Sequence, residues 1–320
     1  MAVTWANHMS RMKLVNLTAV LLSLVFSFAL LGQWPAFPTG GAPKMADGTP
    51  DLTGPAPVMA DGKPDLSGVW AGGGPGGPGG EKGKGKGKGD KGPPPLGEKG
   101  GDKGGEKGKG KDKDKGGPPF AAGVIPPGGF LNMGQNMPDG LPYNDAALAL
   151  RNARLARNSS DHPDAHCLPL NPVQLWFHPQ PRKLIQNGRE IVMLAEANGG
   201  TRQIFTDGRA LPNKDDVQPW WYGYSAGKWD GDTLVVESTG FLDDAWIDEQ
   251  GSPLSNEAHI TERIRRPNYG TLEIQVTVND PKTYTRPWTV TANQRLMADD
   301  ELIEFVCGEN NTSLQHLVTK

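Results

Sequence analysis

Cysteine is scarce. The chain has two in 320 residues, Cys167 and Cys307, which excludes a small scaffold held by a disulfide framework and leaves one bond as the most the thiols can make. Long apolar runs are missing as well. The longest, residues 17–31 (LTAVLLSLVFSFALL), stops short of the about 18 residues that support a membrane-spanning helix. HExxH, CxxC and phosphate-loop patterns are absent, so the zinc-protease, thioredoxin-type and nucleotide-phosphate readings have no support. No metal, no cofactor and no nucleic-acid partner is expected.

The apolar run at 17–31 follows Arg11 and Lys13 and precedes the proline-rich GQWPAFPTGG. That order reads as an export signal over residues 1–36, with the membrane contacted only through this segment. Export to the periplasm or beyond places both cysteines in an oxidising compartment, and a Cys167–Cys307 disulfide is the expectation.

Glycine, lysine and proline are abundant but unevenly spread. Between Glu81 and Lys115 there are twelve lysines and seven acidic residues, a net of +5 that leaves −8 for the rest of a chain of formal charge −3. Residues 72–119 have too little apolar content to offset chain entropy and read as a disordered insertion. Its role is either weak contact with anionic envelope polymers or that of a solvated spacer. Ahead of it, MADGTPDLTG at 45–54 recurs as MADGKPDLSG at 59–68; two copies of so short a unit make no solenoid, and residues 37–63 read as a linker.

Residues 64–71 and 120–320 carry the foldable text. NDAALALRNARLARN at 144–158 opens on an Asn cap and predicts one short helix. Beyond Pro172 the pattern is strand and turn. Asn187-Gly188, Asp207-Gly208 and Asp230-Gly231 are hairpin signals, and TLEIQVTVND at 271–280 alternates strictly. Further strands are expected at 66–70, 173–177, 220–229, 258–265, 288–296 and 302–307. Roughly ten strands at regular spacing predict a mainly β fold, an antiparallel barrel, with a β-sandwich as the alternative.

Three constellations are candidates for chemistry. DHPDAHC at 161–167 brings His162 and His166 close to two carboxylates and Cys167. Pro163 argues against the helix that would aim both rings at one metal, so a polar loop ending in a disulfide cysteine is the reading. In AHITERIR, alternation turns Glu262 inward, as the anchor of a pocket or as an acid–base group with His259 or Arg263, unless an arginine such as Arg202 or Arg286 pairs with it. In QPWWYGYSAGKW, Trp220, Tyr222 and Tyr224 would share one face and line a cavity for a flat or apolar molecule, or fill the core.

PDLSGVW (64–70), IFTDGR (204–209), WDGDTLVVESTGF (229–241), HITERIRR (259–266), DPKTYTRPWTV (280–290) and EFVCGEN (304–310) together resemble a widespread family of uncharacterised exported bacterial proteins. That resemblance implies secretion and a β-rich fold and brings no activity with it. Gly68-Val69-Trp70 also resembles the Gly-x-Trp of the first strand in lipocalin-like barrels, which implies that Trp70 closes one barrel end. The functional expectation is a barrel binding a small apolar or amphipathic molecule. A periplasmic isomerase or hydrolase using Glu262 with His259 or Arg263, and an envelope-associated structural protein, are the alternatives.

Overall fold

The computed structural model describes residues 39–72 and 129–309. The export signal at 1–36 and, apart from Gly72, the insertion at 72–119 lie outside the described residues. Two compact units are present. In the smaller, Thr39 N donates to Asp299 Oδ1 and Asp299 N donates to Thr39 Oγ1, both at 2.7 Å. The larger holds the strands and helices of the described residues.

Nine strands close into a barrel: β1 (Gly68–Gly72), β2 (Arg182–Gln186), β3 (Glu190–Ala195), β4 (Thr201–Phe205), β5 (Tyr224–Asp230), β6 (Thr233–Thr239), β9 (His259–Asn268), β10 (Thr271–Asn279) and β11 (Trp288–Leu296). Two short strands, β7 (Ala245–Trp246) and β8 (Pro253–Leu254), form a separate hairpin between β6 and β9. Around the barrel the order is β1-β11-β10-β9-β6-β5-β4-β3-β2, and β2 returns to β1. Every ladder is antiparallel except that of β4 with β5, a single parallel pairing of Phe205 with Ala226. Alternation supplies the interior. Leu272, Ile274, Val276 and Val278 of β10 are all fully buried, and β6, β9 and β11 repeat the pattern.

Asn187-Gly188 and Asp230-Gly231 form the hairpins expected of them. Asp207-Gly208 does not. Asp207 Oδ1 accepts from Arg209 N, and the chain then runs through a long loop holding Pro212 and Pro219 before β5 begins beside β4 and parallel to it. The expected strand at 302–307 is also absent: this segment makes no ladder, and is held by Ile303 N donating to Glu196 Oε1 at 2.9 Å and by the disulfide. Cys307 is bonded to Cys167 across 140 residues of sequence, with the Cα atoms 5.5 Å apart.

At one end the two MADG copies form matching turns. Met45 N donates to Thr49 O and Asp51 N to Pro43 O, while Met59 N donates to Lys63 O and Asp65 N to Pro57 O. The second copy leads into β1. Gly68 has φ +147°, and a Cβ there would lie 2.5 Å from Leu296 Cδ1, which explains the glycine two residues before Trp70. Trp70 is fully buried and its indole N–H donates to Leu66 O at 3.0 Å. Arg266 lies over the Trp70 ring at 4.9 Å and donates to the carbonyls of Asp65, Ser67 and Tyr269.

Helix α1 (Asp145–Ala156) starts where the Asn144 side chain accepts from Ala147 N. Residues 173–177, expected as a strand, are instead helical. Helix α2 (Pro172–Phe177) is capped by the Asn171 side chain, which accepts from the amides of Val173 and Gln174, and Pro172 occupies the first turn, where its missing N–H costs nothing. All six residues of α2 are buried. Trp176 O accepts from Arg182 Nη1 at 3.0 Å and from Gln294 Nε2 at 2.7 Å, two buried side chains of β2 and β11, so α2 is docked onto the barrel interior.

Candidate functional site

Glu262 points inward, as its position on β9 requires, and is paired. Arg202 of β4 donates to it through Nη1 at 2.8 Å and through Nη2, and the Trp176 indole N–H donates to the same carboxylate. Ser225 and Ser238 accept from the same guanidinium at 3.0 Å. Every group in this buried network has partners, so it anchors structure. His259 and Arg263 lie on the other face of β9, where Arg263 Nη2 pairs with Asp230 at 3.1 Å. The structure therefore separates Glu262 from both of its expected partners, and Arg286 is exposed.

The aromatic segment is divided as well. Gly223 has φ +60°, and a Cβ there would strike Thr239 O at 2.6 Å, so the chain turns at 223 and alternation starts only at Tyr224. Trp220 is 51% exposed and stacks on Tyr224, with ring centroids 4.7 Å apart. Tyr222 turns the other way; its hydroxyl is buried without a hydrogen-bond partner, and burial pushes its pKa up to about 12. Residues 223–227 also spell G-x-S-x-G, the spacing of the nucleophile turn in serine hydrolases. Ser225 sits within a strand, buried, with its hydroxyl bonded to Arg202 and Ser238, so it has neither the exposed turn nor the base that such a nucleophile needs.

The polar groups that come together without a structural ion pair to consume them lie above α2. His162, Asp164, Gln174, His178 and Glu249 come from three stretches of chain. Glu249 is on the β7–β8 loop, which α1 holds down: Arg154, over the Trp246 ring at 4.3 Å, donates to Gly251 O at 3.0 Å and to Asp244 Oδ1 at 2.6 Å. Glu249 N donates to Phe130 O and Ser159 Oγ to Glu249 O. Asp164 is oriented by Asn198 Nδ2 at 2.9 Å. Ser159, Cys167 and Asn198 all have φ between 51° and 57°, a left-handed conformation that is costly for residues with a Cβ and that surrounding contacts must enforce.

At the centre, His162 Nδ1 accepts from Asp164 N at 3.1 Å. A neutral His162 therefore carries its proton on Nε2, which faces Glu249 Oε1 at 3.5 Å and the Gln174 amide at 3.1 Å. Gln174 Nε2 donates to Glu249 Oε1 at 3.2 Å, while Gln174 Oε1 is buried with no partner. With the His162 proton on Nε2, this orientation sets donor against donor between the two side chains; turned over, Oε1 would accept from His162 Nε2–H and from a protonated Glu249, and the amide NH2 would take the partnerless place.

The electrostatics favour the proton on the carboxyl. Burial, with the charges of Asp164 and Asp248, raises the Glu249 pKa from 4.5 to about 7. Burial lowers His162 from 6.5 to about 4, against the pull of Asp164 and with the push of Arg154. His178, buried beside Arg182, is likewise lowered to about 4. Asp248 is itself raised by burial, although it accepts from Ser252 Oγ at 2.6 Å and from Met133 N at 3.0 Å. A carboxyl that titrates near neutrality beside a histidine that stays neutral is an arrangement suited to moving protons. Glu249 is the open member, with 27% of its side chain exposed.

His162, Asp164 and Glu249 also place three ligand-type atoms within 4.8 Å of one another. A metal on His162 Nε2 would need the ring proton on Nδ1, where Asp164 N–H already points, so this loop geometry opposes ligation. His166, the other histidine of the sequence motif, is directed away, with Nε2 at 2.9 Å from Ser160 O. Sequence reasoning reached His162 through DHPDAHC and missed Glu249, Gln174 and His178; Glu249 stands in IDEQG, which reads as an ordinary polar turn. The chain matches no family model, no curated protein and no solved structure.

Proposed function

We propose that the protein is an exported enzyme that moves a proton through Glu249, of the isomerase or hydrolase type, at the face of the barrel covered by α2. One observation carries this reading: Glu249, partly open to solvent, is lifted to about 7 in contact with the Gln174 amide and beside a neutral His162. At neutral pH such a group is about half ionised, which is the condition for efficient general acid–base work. Glu249 is the group that would meet a substrate or an attacking water. His162 and Gln174 are buried and position it. The disulfide, and the lack among the described residues of any helix long and apolar enough to cross a membrane, support an exported protein, as does the resemblance to exported bacterial proteins.

Two panels of simple compounds test this without a named substrate. Carbon acids (aldehydes, ketones and 2-keto acids) incubated with the protein in deuterated water report proton abstraction by NMR, and a panel of esters and lactones reports hydrolysis. Wild-type protein should accelerate one class with a pH–rate inflection near 7, and Glu249→Gln should lower that rate by about 10²–10⁴-fold while the fold is kept. No acceleration in either panel, or a rate untouched in Glu249→Gln, sinks the proposal.

A further inference from the structure

The barrel is weakest between β4 and β5. Neighbouring strands elsewhere share at least three paired residues, whereas here Phe205 and Ala226 form the whole ladder. Outside this seam lies a notch of about 240 Å³, with walls that include Phe205, Arg209, Leu211, Pro212, Val217 and Tyr224. It shares no residue with the centre around Glu249.

Its walls are flat and stiff. Tyr224 is held by its hydroxyl, which donates to Gln218 O at 3.1 Å, and by Trp220 stacked on its ring. Gly240 makes room, because a Cβ there would lie 2.9 Å from the Tyr224 ring. Trp220 is fixed through its backbone, its N donating to Gly240 O at 2.9 Å and its O accepting from Leu242 N at 3.1 Å. The Arg209 guanidinium, also in the lining, lies over the Phe205 ring at 3.7 Å. Asp207 takes Arg209 Nε at 2.9 Å and Nη2 at 2.7 Å, which leaves the Nη1 edge without a partner among the described residues. Among the described residues, Arg209 is the one charged side chain lining the notch.

We infer that this notch binds a small aromatic carboxylate, its ring between Tyr224 and the aliphatic wall of Leu211, Pro212 and Val217, its carboxylate on the Nη1 edge of Arg209. The volume sets the size: it is below the about 300 Å³ at which sites for drug-sized ligands begin, and takes one ring. The rigid aromatic wall favours a flat body. The half-occupied guanidinium fork favours an anion over a neutral head.

The probes are 4-hydroxyphenylacetate and its neutral counterpart 4-hydroxyphenylethanol, titrated into the whole protein by calorimetry, with melting temperatures recorded for each variant. The acid should bind saturably with one-to-one stoichiometry and more tightly than the alcohol. Val217→Trp, which fills the notch from a half-buried loop position, should abolish binding of both. Arg209→Gln should weaken the acid by about tenfold and leave the alcohol unchanged. No saturable binding of the acid, binding that survives Val217→Trp in folded protein, or equal affinity for acid and alcohol in the wild type overturns the inference. None of these outcomes bears on Glu249, whose role is read from the proton-transfer panels.

Discussion

Replacing Glu249 with glutamine should make the protein more stable at alkaline pH and leave it unchanged in acid. Glutamine copies the shape of the protonated carboxyl and cannot ionise, so it removes only the cost of charging the group in place. In the unfolded chain Glu249 ionises near 4.5, and in the folded protein near 7. Between those values the folded state holds one proton more than the unfolded state, so wild-type stability falls as pH rises through this window. At about 1.4 kcal/mol per pH unit the displacement corresponds to about 3 kcal/mol, and water at the open quarter of the side chain brings the expectation to about 2–3 kcal/mol. For a body of this size 1 kcal/mol moves the melting temperature by about 2–4 °C, so Glu249→Gln should melt about 4–12 °C above wild type at pH 8.5 and coincide with it at pH 4. Differential scanning fluorimetry across this range measures the difference directly. A difference that stays flat with pH, or a variant less stable than wild type at pH 8.5, would falsify the raised pKa and with it the reasoning for an acid–base centre.

Acid should act through the histidines: His162 and His178 are held neutral down to about 4, so stability present above pH 6.5 is lost as pH falls toward 4, and His178→Gln should flatten that limb in urea titrations. Trp70→Ala should cost about 3–5 kcal/mol by chemical denaturation, since it empties a buried aromatic site and strips Arg266 of its stacking partner; a loss below 1 kcal/mol would contradict a closing role for Trp70. Glu262→Gln leaves Arg202 buried and uncompensated and should cost about 3–5 kcal/mol, whereas Arg202→Met with Glu262→Met together should cost much less; equal losses in the two proteins would show that the pair is not the reason. Reducing Cys167–Cys307 should lower stability by at most about 4–5 kcal/mol, the chain-entropy ceiling for so long a loop, and an unchanged melting temperature in reductant would refute any contribution.

Where local physics decides conformation, the sequence was readable. The strict alternation of β10 and the Asn-Gly and Asp-Gly turns after β2 and β5 needed no distant information, because a period of two, an Asn187 side chain that accepts from the amides of Arg189 and Glu190, and a left-handed Gly231 are properties of a few neighbours. Asp207-Gly208 carried the same signal and misled: a hairpin also needs a strand directly after its turn, and ALPNKDDVQP provides two prolines instead. Helix α2 was misread because the five residues VQLWF span too little of the helical repeat to show it, and only the Asn171-Pro172 start marked it. The proposed acid–base centre was half legible. His162 sits in a visibly polar run, but the pKa of Glu249 depends on burial and on Asp164, which lies 85 positions away and meets it only after the β7–β8 loop has folded over α2.

Helix α2 links the two polar clusters, and its shortness is what allows this. Trp176 and Gln174 are two residues apart, about 200° around the helix, so they face opposite ways. Trp176 reaches down to Glu262 within the barrel, and Gln174 reaches up to His162 and Glu249. A satisfied ion pair below thus sets the height and rotation of the helix that carries the unsatisfied amide above. The carbonyl of Trp176 is fixed a second time by Arg182 and Gln294, so the helix has little freedom to satisfy that amide by moving. A backbone fixed at Trp176, holding the Gln174 amide between an imidazole kept neutral by burial and a carboxyl whose pKa burial raises, would confine the response to a proton's arrival or departure at Glu249 to a few atoms and leave the barrel beneath undisturbed.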